Sequence, residues 1–180
     1  FQAKLDLTAF EFFSDLAVQC VTASGDVQRA FPEPTPFYAL LEFEALSPAI
    51  EEQAMEVFEQ CMEEGWVLNG VMSQNETQAQ NLWRLREDIS ETIAKYTPYK
   101  NDISVLITHV PAFIADIDAI VTANYPDFDI VWFGHIGDGN LHLNILKPAN
   151  LSKDEFFAKC QVVNKKVFET VQKYNGSISA

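Results

Sequence analysis

Apolar and polar positions alternate with two different periods along this chain, and the switches between them mark out its elements. Residues 8–23 (TAFEFFSDLAVQCVTA) repeat apolar side chains at intervals of three and four, which predicts a helix. Pro32, Pro34 and Pro36 follow as an extended connector. In residues 36–46, Leu41 and Phe43 alternate with Glu42 and Glu44, the pattern of a strand. Ser47 and Pro48 supply an N-cap and a first-turn proline for a helix that reaches Glu64 and stops at Gly65. A second strand is predicted over 66–73. Asn75 with Gln78 resembles a capping box and opens a helix to Tyr96. A third strand (100–107) and a helix (110–123, Pro111 in its first turn) come next. Two strands, 129–136 and 141–146, then flank a tight turn. Ser152 with Glu155 caps a last helix to Tyr174, ended by Gly176.

Strands alternating with helices, plus one clear hairpin, predict an α+β sandwich of the split βαβ kind. The sheet is expected to be largely antiparallel, with helices packed on one face. At 180 residues the chain suits one domain, taken as 1–180. No apolar run approaches the ~18–20 residues of a membrane span, and no secretory leader is legible.

Charge narrows the partners. Twelve Lys plus Arg stand against 26 Asp plus Glu, a net charge of −14, so a phosphate backbone is repelled and no nucleic-acid role is expected. Before residue 84 the only basic residues are Lys4 and Arg29. Cys20, Cys61 and Cys160 form no C-x-x-C pair and are read as buried thiols in a reducing compartment.

The densest chemistry lies in residues 131–145 (VWFGHIGDGNLHLNI). Asp138-Gly139 predicts a two-residue hairpin turn, since both central residues of such a turn need positive φ. That register sets Ile136 opposite Leu141 and His135 opposite His142, with Asn144 on the same face. Leu141, Leu143 and Ile145 then seek the core, while two imidazoles meet on the polar face. Such a pair can share a divalent metal, zinc or manganese, if a third ligand comes from elsewhere; a solvated histidine pair is the plainer alternative. Gly134, Gly137 and Gly139 would let a ligand approach closely.

On the helix around residue 86, Leu82, Leu85, Ile89 and Ile93 form an apolar stripe, with Arg86 at its edge and Ser90 one turn on. An arginine there either grips an anion through its fork or lays its stem over the core. Lys100 offers a second cation. His109 is read as solvent-exposed.

The run from His135 to Asn144, preceded by Gly134, resembles the G-H-x-G-D-G-N-x-H-x-N signature of the carboxy-terminal domain of FAD-linked oxidases. That family includes D-2-hydroxyglutarate dehydrogenases, D-lactate dehydrogenases and the glycolate oxidase flavin subunit. Weaker resemblance runs through residues 82–87 and 100–104. It implies a ferredoxin-like domain closing over FAD, which an upstream domain mainly holds, in a D-2-hydroxy acid dehydrogenase of the D-2-hydroxyglutarate or D-lactate type. By the same resemblance, His135 and His142 would hold the metal. Arg86, Ser90, Lys100 and Asn144 would grip the substrate, and Asn140 would meet the cofactor.

Two departures stand out. Ser90 replaces the Thr of dicarboxylate-specific members, and the stretch from Arg86 to Lys100 is one residue shorter. Residues 176–180 resemble the lead-in to a Glu-His-Gly segment, so the catalytic base is expected just beyond Ala180 and the chain alone is expected to be inactive. The partners implied are a small 2-hydroxy acid, the upstream FAD-binding domain and an electron acceptor, with a homodimer compatible. The place implied is the cytoplasm, peripheral to the inner membrane, or the mitochondrial matrix in a eukaryote. A stand-alone module that binds metal or a small acid without redox chemistry is the competing reading.

Overall fold

The computed structural model describes residues 5–179. Its first half runs β1 (Leu7–Ser14), α1 (Asp15–Thr22), β2 (Phe37–Phe43), α2 (Pro48–Glu63), α3 (Glu76–Glu87) and α4 (Ile89–Ala94). Its second half runs β3 (Tyr99–Ser104), α5 (Val110–Asn124), β4 (Ile130–His135), β5 (Asn140–Ile145), α6 (Lys153–Lys173) and β6 (Ser177–Ser179). The six strands make one sheet in the order β2-β1-β4-β5-β3-β6, and every pairing is antiparallel. The second half alone is a βαββαβ unit with strand order β4-β5-β3-β6, the ferredoxin-like split βαβ.

Alternation along β4 and β5 explains the layers. Trp132, Leu141, Leu143 and Ile145 point to one side, where α5 and α6 bring Phe113, Ile117, Phe156 and Val167. Each such aliphatic or Phe side chain contributes about 1.5–3 kcal/mol on burial. Val131 and Phe133 point to the other side and meet Phe13, Val18 and Val21, with Leu85, Ile89 and Ile93 from α3 and α4. The α+β class and largely antiparallel sheet are therefore present. Helices lie on one face only within the βαββαβ unit, because β1 and β2 bring α1, α3 and α4 onto the other. Among the described residues no helix is long and apolar enough to cross a membrane.

Several local expectations give way. Residues 8–23 are not one helix but a strand and then a helix. Ala9, Phe12, Phe13, Leu16 and Ala17 do fall at helical spacing. Yet β1 lies between β2 and β4, and Phe12 and Phe13 feed opposite cores, which only an extended backbone allows. Residues 66–73 form no strand. Gly70 instead takes the Phe58 ring of α2, so closely that a Cβ there would stand 2.2 Å from it. The helix expected from Asn75 to Tyr96 breaks at Asp88 into α3 and α4, although the stripe of Leu85, Ile89 and Ile93 is buried as expected. Cys61 is only partly buried, unlike Cys20 and Cys160. His109 is partly buried too, edge-on to Tyr174 at 5.6 Å. Lys4 and Ala180 lie outside the described residues.

Two carboxylates brace this frame. Burial alone would raise the Asp15 carboxyl, but hydrogen bonds from Gln19, Arg29 and Tyr38 together hold it below the usual range. Burial pushes Asp118 the other way, above its usual value, although the Trp132 indole donates to it at 2.7 Å.

Candidate functional site

The turn after β4 settles the register. Its loop is four residues, 136–139, rather than two, and His135 pairs with Asn140. Asp138 does not take positive φ; only Gly139 does, at +73°. Instead the Asp138 carboxylate accepts from the Asn140 N–H at 3.0 Å, and the Gly139 carbonyl accepts from Val105 N–H at 3.1 Å. Asp-Gly chemistry is thus spent on a longer loop. His142 consequently faces Phe133, not His135. A shift of two residues preserves side-chain parity, so both histidines still emerge on the same face.

That face is an ordered grid. One row across the sheet reads Glu11, His135, Asn140 and Ser104; the next reads Phe13, Phe133, His142 and Asp102; a third holds Val131, Asn144 and Lys100. The two imidazoles lie diagonally, with centroids 5.9 Å apart and planes at 75°. Each has a carboxylate on its Nδ1. Glu11 Oε1 is 2.6 Å from His135, and Asp102 Oδ1 is 2.5 Å from His142. A carboxylate only accepts hydrogen bonds, so it favours a proton on Nδ1 and leaves Nε2 as the free nitrogen.

Arg86 reaches the same rows from α3. Its Nε donates to Glu11 Oε2 at 2.8 Å, and its guanidinium lies 4.8 Å above the Phe133 ring. Arg86 is partly buried, and its anion among the described residues is Glu11. With side-chain exposures of 11% and 6% the pair is well shielded, where removing one partner costs about 3–5 kcal/mol. Phe133 also carries the His142 ring at 4.8 Å. Arg86, His135 and His142 are therefore gathered around Glu11 and Phe133.

Asn144 is 2% exposed and donates to the His142 carbonyl at 3.3 Å. Lys100 pairs with Asn144 in register but is exposed and makes no ion pair among the described residues. Ser90, on α4 beyond the break, is exposed. Asn140, partly buried, keeps its side chain free beside the turn. A cavity of about 420 Å³ lined by Ser14, Asp118, Phe128 and Trp132 includes none of these residues.

Sequence reasoning missed Glu11 and Asp102. Glu11 is the one acid in Phe10-Glu11-Phe12-Phe13, and a carboxylate inside so apolar a run needs a buried cation. Asp102 needed the β3–β5 register.

As a metal site the face supplies two oriented imidazoles, in the manner of metal-binding histidines whose second nitrogen is held by a carboxylate. Among the described residues no group of three His, Cys, Asp or Glu side chains is placed to hold an ion. Two imidazoles are fewer ligands than a divalent ion takes, so the described residues by themselves do not make a metal centre.

Comparison with known proteins adds the final observation. The family model described as "FAD linked oxidases, C-terminal domain" matches residues 1–180. A D-2-hydroxyglutarate dehydrogenase of Stutzerimonas stutzeri (strain A1501) is 69% identical over 180 residues, covering 100% of this chain and 39% of that protein. One from Xanthomonas citri pv. viticola is 54% identical, covering 100% of this chain and 38% of its own length. A mitochondrial D-2-hydroxyglutarate dehydrogenase of Arabidopsis thaliana is 32% identical over 179 residues, covering 97% of this chain and 30% of that protein. The chain thus spans less than two-fifths of the length of these relatives.

Proposed function

The chain belongs to the family of FAD linked oxidases, C-terminal domain, and from that premise we propose that residues 1–180 are the substrate- and metal-binding domain of an FAD-dependent D-2-hydroxy acid dehydrogenase. The observation that carries this reading is the convergence of Arg86 and His135 on the buried Glu11 carboxylate, with the His142 ring beside that of His135. D-2-hydroxyglutarate is the favoured substrate, because the relatives bear that name and because Lys100 adds a second cation for a second carboxylate.

Each residue has a part. Arg86 spends Nε on Glu11, so its two Nη atoms remain to fork a substrate carboxylate. Phe133 fixes the plane of that fork. Lys100, flexible and solvated, attracts the distal carboxylate. Asn144, on the face of His142, would grip the substrate with Arg86, Ser90 and Lys100, and Asn140 would meet the cofactor at the turn. The Nε2 atoms of His135 and His142 would hold the metal. When bound, FAD supplies a hydride acceptor and the metal supplies Lewis-acid polarisation of the hydroxyl. We assign FAD mainly to the part of the longer protein outside this chain, and expect the chain by itself to be inactive. The location is the cytoplasm, or the mitochondrial matrix in a eukaryote.

The test is turnover by the full-length protein. D-2-hydroxyglutarate is expected to reduce the bound flavin faster than D-lactate at equal concentration. Absence of reduction by either acid overturns the assignment.

A further inference from the structure

We propose that Glu11 is the positioning residue of this site, a single buried carboxylate that selects the tautomer of His135 and aims Arg86 at the ligand. The catalytic consequence rests on the function proposed above; the geometric claim stands on its own.

Glu11 sits in β1 directly opposite His135 and is 5% exposed. Its two oxygens are divided between two functional groups, Oε1 to His135 Nδ1 at 2.6 Å and Oε2 to Arg86 Nε at 2.8 Å. A structural ion pair would need only the arginine. The His135 contact fixes which imidazole nitrogen carries the proton, since an acceptor-only group holds Nδ1–H and leaves a lone pair on Nε2. The Arg86 contact uses Nε alone, with the guanidinium carbon 4.8 Å from the Phe133 centroid, so neither Nη atom is bonded to Glu11. One side chain thus sets a lone pair and a two-donor fork at the same time. The residue that does so lies 124 positions from His135 and 75 from Arg86.

The test uses the full-length protein, nitrogen-15 labelled and treated with chelator, with ring signals assigned through their loss in His135→Asn. In the wild type, His135 is expected as the Nδ1–H form with Nε2 unprotonated, when the ring is neutral. Glu11→Gln presents an amide N–H₂ that can donate to Nδ1, and the ring is expected to change to the Nε2–H form. The same variant is expected to lose roughly 10–100-fold in kcat/KM for D-2-hydroxyglutarate, as partners of metal-bound histidines do. Wild-type His135 found as Nε2–H overturns the proposal without any variant. An unchanged tautomer in folded Glu11→Gln, judged by its thermal melt, overturns it whatever the rate. A wild type that turns over neither acid removes the dehydrogenase reading while leaving the tautomer result to decide this one.

Discussion

His135 and His142 lie on neighbouring cross-strand rows, with ring centroids 5.9 Å apart, because His142 is paired with Phe133 and His135 with Asn140. The diagonal keeps both rings on one face while leaving each next to a different carboxylate, Glu11 or Asp102. Both histidines are therefore served by the sheet itself, not by a loop.

If the pair shares an ion, the two are equally needed. His135→Ala and His142→Ala are each expected to deplete divalent metal from the full-length protein and to lower turnover by more than about 100-fold. Metal analysis by mass spectrometry checks this, and full metal content in both variants counts against shared ligation.

Arg86→Lys keeps the charge but loses the fork. The KM for D-2-hydroxyglutarate is expected to rise about 10–100-fold, the worth of a charge-assisted hydrogen bond, with kcat less affected. Steady-state kinetics decide it. A lost kcat at unchanged KM would show that Arg86 does not hold the ground-state carboxylate.

Much of this site was legible from the chain. Alternation in 141–145 fixed which residues face the core, and the apolar stripe of Leu85, Ile89 and Ile93 placed Arg86 at its edge. The partners were not legible, because Glu11 and Asp102 are brought in by pairings across 124 and 40 residues. The register failed because Asp138 used its side chain to cap the turn instead of adopting positive φ, a choice that local sequence leaves open. Over 8–23 the helical spacing yields instead to long-range strand pairing. Helical spacing was genuine in the second half of that stretch, but the first half was claimed by two neighbouring strands.

Gly134 allows β4 and β5 to close beside His135. A Cβ there would stand 2.2 Å from the Asn140 carbonyl oxygen, which is backbone and cannot swing aside. Gly134→Ala is expected to cost about 1–3 kcal/mol, the range for overpacking a filled site. Chemical denaturation measures it, and an unchanged midpoint would refute the contact.

Asp118 gives a pH signature. Burial raises its carboxyl in the folded protein above its usual value, so the folded state holds that proton more tightly than the unfolded state. The associated stability is complete below that unfolded value and disappears as pH rises through the higher folded one. Asp118→Asn retains an oxygen for the Trp132 indole and removes the ionisation. The variant is expected to gain stability relative to wild type as the medium goes from acidic to neutral. Melts across that range showing a constant difference would exclude the effect.

Thiol reactivity should follow depth. Burial pushes the Cys160 thiol up to about 12, and Cys20 is raised as well, while Cys61 is only partly buried. Mass spectrometry after brief alkylation of native protein is expected to find Cys61 labelled first. Early labelling of Cys160 would mean that α6 opens readily.

The joint between β1 and β4 consists of three residue pairs, Glu11 with His135, Phe12 with Gly134 and Phe13 with Phe133. That short seam stitches the first strand to the ferredoxin-like unit, and its end pairs carry the groups that would handle the substrate. Because Phe12 belongs to one hydrophobic layer and Phe13 and Phe133 to the other, unzipping the seam would disturb both while scattering the carboxylate, the imidazole and the guanidinium's aromatic rest. The site is thereby tied to the stability of the whole sheet.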